Sequence, residues 1–162
     1  MMNKQFIKQL SDLEHERACL RSPSMPKDYV PRHKYIETTA NGLTRCIVDW
    51  INFNGGQAER INSTGRVIDN TIVIKDVLGV SRRIGSTKYI PGTGTKGTAD
   101  VSATIQGRSV KIEVKMKDKQ SIAQIKYQNT IENAGGQYWL VHSFDEFMFH
   151  YDCFVDYLSE HS

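Results

Sequence analysis

Asp100, Glu113 and Lys115 are the residues of this chain whose types and spacing lend themselves to chemistry. Two carboxylates brought together suit a hard divalent cation, which prefers oxygen ligands. An ammonium beside them suits a phosphate. In phosphodiester hydrolysis the cation polarises the phosphate and lowers the pKa of a bound water, while the ammonium orients that water or stabilises the developing negative charge.

Strand register decides whether the three meet. Residues 100–106 (DVSATIQ) and 110–116 (VKIEVKM) alternate strictly, so each reads as a half-buried strand. Val101, Ala103 and Ile105 turn inward on the first, and Val110, Ile112, Val114 and Met116 on the second. The outward faces hold Asp100 on one strand and Lys111, Glu113 and Lys115 on the other. Gln106-Gly107 lies between them, with glycine supplying the positive φ that a tight hairpin often requires. That turn pairs Ile105 with Arg108, Ala103 with Val110, Val101 with Ile112 and Asp100 with Glu113. A slip of one residue would mismatch the apolar faces.

Directly opposed residues have Cβ atoms about 4.5–5.5 Å apart. At an effective dielectric near 20 and about 4–5 Å, two carboxylates repel by roughly 3–4 kcal/mol. A bound cation would compensate. Lys115 shares their face, about 7 Å beyond Glu113 along the strand. Charged alternating strands also form plain solvated faces with cross-strand ion pairs, for which Lys111 and Lys117 are available. The opposed acid is what argues for a site.

The 162 residues, 39% hydrophobic and 24% charged, fit one globular domain plus some extra segment. No run approaches the ~20 apolar residues of a membrane span, and the start MMNKQFIKQL lacks the apolar stretch of a secretory signal. A cytoplasmic location is expected. Cys19, Cys46 and Cys153 are far apart and show no Cys-x-x-Cys spacing, which argues against disulfides and structural zinc.

Phe6, Ile7, Leu10, Leu13 and Leu20 predict a helix over 3–20, and Pro23, Pro26 and Pro31 a linker after it. Residues 1–36 read as an appendage whose apolar stripe suits docking on the parent domain, 37–162, better than a partner site. Leu43, Ile47, Trp50 and Ile51 predict a helix stopped at Asn54-Gly55-Gly56, then a strand over 57–62. TIVIKDVLGV (71–80) reads as a strand, and the Gly-, Thr- and Lys/Arg-rich stretch 81–97 as a mobile loop. Gly94-Thr95-Lys96-Gly97 lacks the Gly-Lys-Ser/Thr of a nucleotide-hydrolase loop, which excludes that class.

Ser121-x-x-Gln124 and Ser143-x-x-Glu146 fit capping boxes. The second opens a helix whose Phe144, Phe147, Met148, Tyr151 and Phe154 suggest packing on the sheet or on a second subunit. Trp50, Tyr138 and Trp139 read as core, and His142 and His150 as structural.

Charge is unevenly spread. From 81 to 119 stand nine basic residues (Arg82, Arg83, Lys88, Lys96, Arg108, Lys111, Lys115, Lys117, Lys119) against Asp100, Glu113 and Asp118. That segment favours a polyanion, with Arg82, Arg83, Lys88, Lys96, Lys117 and Lys119 as candidates to grip nucleic-acid phosphates. After Phe144 come Asp145, Glu146, Asp152, Asp156 and Glu160 with no Lys or Arg.

Gly97-x-x-Asp100 and Glu113-Val114-Lys115, twelve residues apart, resemble the signature of the PD-(D/E)XK nuclease superfamily. More narrowly, 43–147 is similar to the virus-type replication-repair nuclease (VRR-NUC) domain. The likeness runs through Ile47-Val48-Asp49-Trp50, Gly55-Gly56, Gly97-Thr98-Ala99-Asp100, Ile112-Glu113-Val114-Lys115, Gln124, Ala134-Gly135-Gly136 and Ser143-Phe144-Asp145-Glu146-Phe147. It implies a fold of the α/β class, mixed α+β, with a restriction-endonuclease-like core: a small mixed sheet flanked by helices. It also implies Mg2+ or Mn2+ held by Asp100, Glu113 and the main-chain carbonyl of Val114, with Gln124 facing the active site. The implied activity is cleavage of DNA, typically branched, flapped or Holliday-junction DNA, in recombination, repair or phage genome processing. Two positions depart from the pattern. Ala99 stands where the family usually has Pro, and Asn41 or Gly42 where many members carry a helix Glu, with Glu37 nearby but off register. A homodimer would suit symmetric cutting of two strands.

Overall fold

The computed structural model describes residues 3–62, 65–75, 77–90, 92 and 94–161. Among them are four α-helices, α1 (Asn3–Arg21), α2 (Ala40–Phe53), α3 (Ile122–Asn133) and α4 (Phe144–Glu160). Eight strands accompany them: β1 (Gln57–Arg60), β2 (Arg66–Asp69), β3 (Ile72–Lys75), β4 (Ser81–Ile84), β5 (Thr87–Ile90), β6 (Val101–Ile105), β7 (Arg108–Val114) and β8 (Gln137–Val141). The fold is of the α/β class, with a mixed four-stranded sheet ordered β1-β6-β7-β8. No helix among the described residues is long and apolar enough to cross a membrane.

The β6–β7 hairpin adopts the register expected from its alternation, with Val101 opposite Ile112, Ala103 opposite Val110 and Ile105 opposite Arg108. Gln106 (φ 46°) and Gly107 (φ 79°) both occupy the left-handed region, as a two-residue type I′ turn demands. On its other side β7 pairs in parallel with β8, Glu113 opposite Leu140. A parallel pair needs a crossover, and α3 supplies it.

One face of the sheet makes the core. Val101, Ala103, Ile105, Val110, Ile112, Val114, Trp139 and Val141 meet Leu43, Ile47 and Ile51 of α2 and Phe144, Phe147 and Met148 of α4. Leu10 of α1 is fully buried in the same cluster, so α1 docks on the body through its apolar stripe. After α1, Pro26 leads into a short 3-10 turn (Lys27–Tyr29), and an extended strap follows.

Three sequence expectations need correction. Residues 81–97 are not simply a loop: β2 pairs with β5 and β3 with β4 in one continuous register, forming a two-stranded ribbon. The strand expected over 71–80 stops at Lys75, and Val77-Leu78-Gly79 belong to the ribbon's tip, with Gly79 at φ 78°. Asp76, Pro91 and Thr93 lie outside the described residues. Every side chain of β3 and β4 is exposed, so neither face imposes an apolar–polar alternation and the periodic signal is absent. At α4, Ser143 caps the Glu146 N–H as expected. The Glu146 carboxylate reaches instead to the His142 N–H at 2.7 Å and to His142 Nδ1 at 3.0 Å, so the box is half formed.

Candidate active site

The C-terminal end of β7 carries the three residues. The sequence placed Glu113 on an outward face, yet Glu113 is only 2% exposed. A hairpin pattern cannot show what lies beyond the second strand. Here β8 flanks β7 and α3 lies over the face opposite the apolar core, so the side that alternation marks as polar is covered.

Glu113 is held asymmetrically. Its Oε1 accepts from Lys115 Nζ at 3.1 Å and from Gln124 Nε2. Its Oε2 is buried with no hydrogen-bond partner. Burial, and then the charge of Asp100, push the Glu113 carboxyl above its usual range, while Lys115 pulls it back. An unpaired carboxylate oxygen in a buried position carries a desolvation cost that a bound positive charge would offset.

Asp100 sits just before β6, and its Oδ2 accepts the Val114 N–H at 3.0 Å. In an extended strand the N–H and C=O of one residue leave on the same side, so the Val114 carbonyl also points toward the Asp100 edge. The Lys115 N–H bonds Val141 O at 2.9 Å, which locks the backbone between Glu113 and Lys115 against β8. The donor set of Glu113, Asp100 and the Val114 carbonyl consists of oxygen atoms alone and fits a hard divalent cation.

One loop position and one helix position keep this geometry. Gly97 has φ 80°, and a Cβ there would lie 2.4 Å from the Ala123 carbonyl carbon and oxygen and 2.7 Å from the Gln124 nitrogen. Glycine lets the loop carrying Asp100 press against the first turn of α3. Gln124 is used twice: its Oε1 accepts the Ser121 N–H at 2.9 Å to complete the capping box, and its Nε2 reaches Glu113. The cap and the site-facing role are one arrangement.

Among the described residues, no acid stands where the family that the sequence resembles often carries a helix Glu. A Cβ at Gly42 would lie 1.9 Å from Ile36 O, so the strap occupies that space. Asn41 Oδ1 accepts from Arg60 Nη2, and Glu37 Oε2 accepts the Phe144 N–H at 3.0 Å, so Glu37 serves the start of α4. Among the described residues no group of three or more His, Cys, Asp or Glu side chains is arranged to hold a metal. Ala99, at the usual proline position, is 1% exposed.

The candidate phosphate-gripping residues stand on more than one element. Lys96 precedes Gly97 in the loop to Asp100, and Lys117 and Lys119 are exposed just after β7. Arg82, Arg83 and Lys88 stand on the separate ribbon, where Arg83 is engaged with Asp69 at 3.2 Å and Thr71 at 3.0 Å.

Trp50 and Trp139 are buried in the core, and Tyr138 is buried on the α3 side of the sheet. Burial, then the charge of Glu113, raises the Tyr138 hydroxyl to about 12, and Gln120 Nε2 approaches that oxygen at 3.5 Å. Neither Tyr138 nor Gln120 was legible as a neighbour of the site, because the β7–β8 pairing that brings Tyr138 opposite Lys111 leaves no trace in local pattern.

Compared with protein-family models, curated proteins and solved structures, the chain finds no match in any of the three.

Proposed function

We propose that this chain is a divalent-metal-dependent nuclease that hydrolyses DNA phosphodiester bonds, in branched or flapped DNA such as a Holliday junction. The observation that carries the reading is Glu113: buried, beside a second carboxylate, with Oε1 held by Lys115 and Gln124 and Oε2 left unpaired. Folding alone gives no reason to bury a carboxylate in that state.

Asp100, Glu113 and the Val114 carbonyl would hold Mg2+ or Mn2+, which when bound polarises the phosphate and acidifies water. The chain's own groups do the rest. Lys115 opposes the upward push that burial and Asp100 give the Glu113 carboxyl, and it presents positive charge where negative charge develops on the phosphate oxygens. Gln124 fixes the Glu113 rotamer through α3. Lys96, Lys117 and Lys119 flank the site in sequence and supply phosphate contacts for DNA.

The test is a panel of labelled junction, flap, single-stranded and linear duplex DNA with Mg2+, Mn2+ or EDTA. Metal-dependent products that vanish in Asp100→Ala, Glu113→Ala and Lys115→Ala support the proposal, and undiminished cutting by all three folded variants overturns it.

A second reading has its own observation, the lack of a third acidic side chain among the described residues. On that reading the chain is a catalytically silent nucleic-acid-binding module, and the panel shows binding with no metal-dependent product. A uniform cut position on linear duplex would instead mark a restriction-type enzyme.

A further inference from the structure

In an antiparallel ribbon, directly opposed residues share a face. The register therefore places 66, 68, 70, 72 and 74 together with 82, 84, 86, 88 and 90. All five isoleucines of the ribbon, Ile68, Ile72, Ile74, Ile84 and Ile90, fall on this face. Basic residues flank them at both ends: Arg66 opposes Ile90, Lys88 opposes Ile68 and Arg82 opposes Ile74. At the centre Ile72 and Ile84 oppose each other, 59% and 53% exposed. Among the described residues, the ribbon strands pair only with one another. Such a row of exposed aliphatic side chains is an aggregation hazard unless another surface covers it.

A complementary surface lies on the solvent side of α4. Phe149, Asp152, Cys153, Asp156, Tyr157 and Glu160 are spaced by three, one, three, one and three residues, one stripe of the helix, and all six are exposed. Phe149 is 68% and Tyr157 56% exposed. Asp152 and Asp156 repel one another across a turn, and no Lys or Arg follows Phe144 to offset them. The ribbon thus offers isoleucines between cations, and α4 offers aromatics between anions.

We propose that the isoleucine face of the ribbon docks on the α4 stripe of a second copy of this chain, which returns its own ribbon to α4 of the first. Reciprocity follows from size. The ribbon is about 33 Å long by its ten residues per strand, and the stripe from Phe149 to Glu160 about 17 Å. A one-way contact of that extent covers only a few hundred Å2 per partner, against about 800 Å2 in a typical stable interface. A twofold arrangement makes the contact twice and closes without propagating. Arg66, Arg82 and Lys88 on this face can meet carboxylates or phosphates alike, but the five isoleucines between them offer phosphate no donor and match the aromatics of the α4 stripe.

The test uses sedimentation velocity on the full chain across a wide concentration range. The ribbon variant is Arg82→Glu with Lys88→Glu, and the helix variant is Asp152→Lys with Asp156→Lys. The wild type is expected to dimerise, and each variant alone to dissociate at concentrations about tenfold higher or more. An equimolar mixture should restore the dimer, since both contacts in the mixed pair then join opposite charges. Ile72→Ser with Ile84→Ser should dissociate it without any charge change, and circular dichroism verifies that each variant is folded. A wild type monomeric at every concentration, dimers indifferent to these changes, or ribbon variants that lose only DNA affinity at unchanged mass would overturn the proposal. Neither surface includes Asp100, Glu113 or Lys115, and the helix variant and Ile72→Ser with Ile84→Ser also spare the candidate phosphate contacts, so through these variants association and cleavage can fail separately.

Discussion

Gln124 on α3 donates its side-chain amide to Glu113 on β7, while the carbonyl of that same amide closes the capping box at Ser121. One side chain therefore sets the helix against the strand that carries the candidate site. Gln124→Ala removes both bonds and should cost about 1–2 kcal/mol in a urea melt, with cleavage falling as well. Gln124→Glu keeps an acceptor for the Ser121 N–H but sets a carboxylate against Glu113. Its pH–rate profile should shift to higher pH, because Glu113 then gives up its proton less readily. A profile identical to wild type would remove Gln124 from any positioning role.

Gly97 gives a second test, since its side-chain position faces the backbone of Ala123 and Gln124. Gly97→Ala combines a left-handed φ with a direct clash and should cost about 2–4 kcal/mol. It should also lower cleavage, by moving α3 and Asp100 apart. Gly107 has a similar φ of 79° but nothing within 4 Å of its would-be Cβ, so Gly107→Ala should cost only about 1 kcal/mol. Equal losses would show that strain, not the contact with α3, governs Gly97.

How much of this was legible in the sequence depends on the range of the interaction. The β6–β7 register, down to Ala103 opposite Val110, followed from local alternation and a two-residue turn, because a slip would have turned apolar residues outward. The capping of α3 by Ser121 was local too. The burial of Glu113 was not, since it comes from β8 and α3, which local pattern cannot place over β7. The ribbon was missed for the opposite reason: Val73 at 68% exposure and its neighbours face water, so no buried side imprinted a period. Glu146 was read as a box partner of Ser143, yet its carboxylate found the N–H one residue earlier, at His142, a choice of rotamer that spacing does not decide.

The raised Glu113 pKa makes a prediction about stability in the absence of metal. An acid whose folded value lies above its unfolded one adds stability that is fully present below the unfolded value and is lost as pH rises through the folded value. Burial is the main cause here, then Asp100. In EDTA, the stability of Glu113→Gln relative to wild type should therefore increase from acid to neutral pH, whatever the loss of the Lys115 contact subtracts at every pH. Thermal melts read this, with each 1 kcal/mol appearing as about 2–4 °C in Tm for a chain of this size. A difference that is flat or falls with pH would mean that Glu113 is not strained by its charge.

Metal addition supplies the converse. A ligand bound only by the folded state stabilises it by about 2.7 kcal/mol at a hundred times its Kd. Mg2+ or Mn2+ should therefore raise the wild-type Tm by several degrees and leave Asp100→Asn and Glu113→Gln unshifted. Lys115→Met separates binding from chemistry. Lys115 Nζ stands 3.1 Å from Glu113 Oε1 and repels any cation nearby, so removing it should leave the metal shift intact or enlarge it while cleavage is lost. The Glu113 carboxylate would then be free of the ammonium at Oε1 and able to give both oxygens to the metal. A Lys115→Met protein that loses the metal shift along with its activity would make the ammonium part of the binding site rather than of the reaction. Equal shifts in wild type and in Asp100→Asn would place the metal elsewhere on the chain.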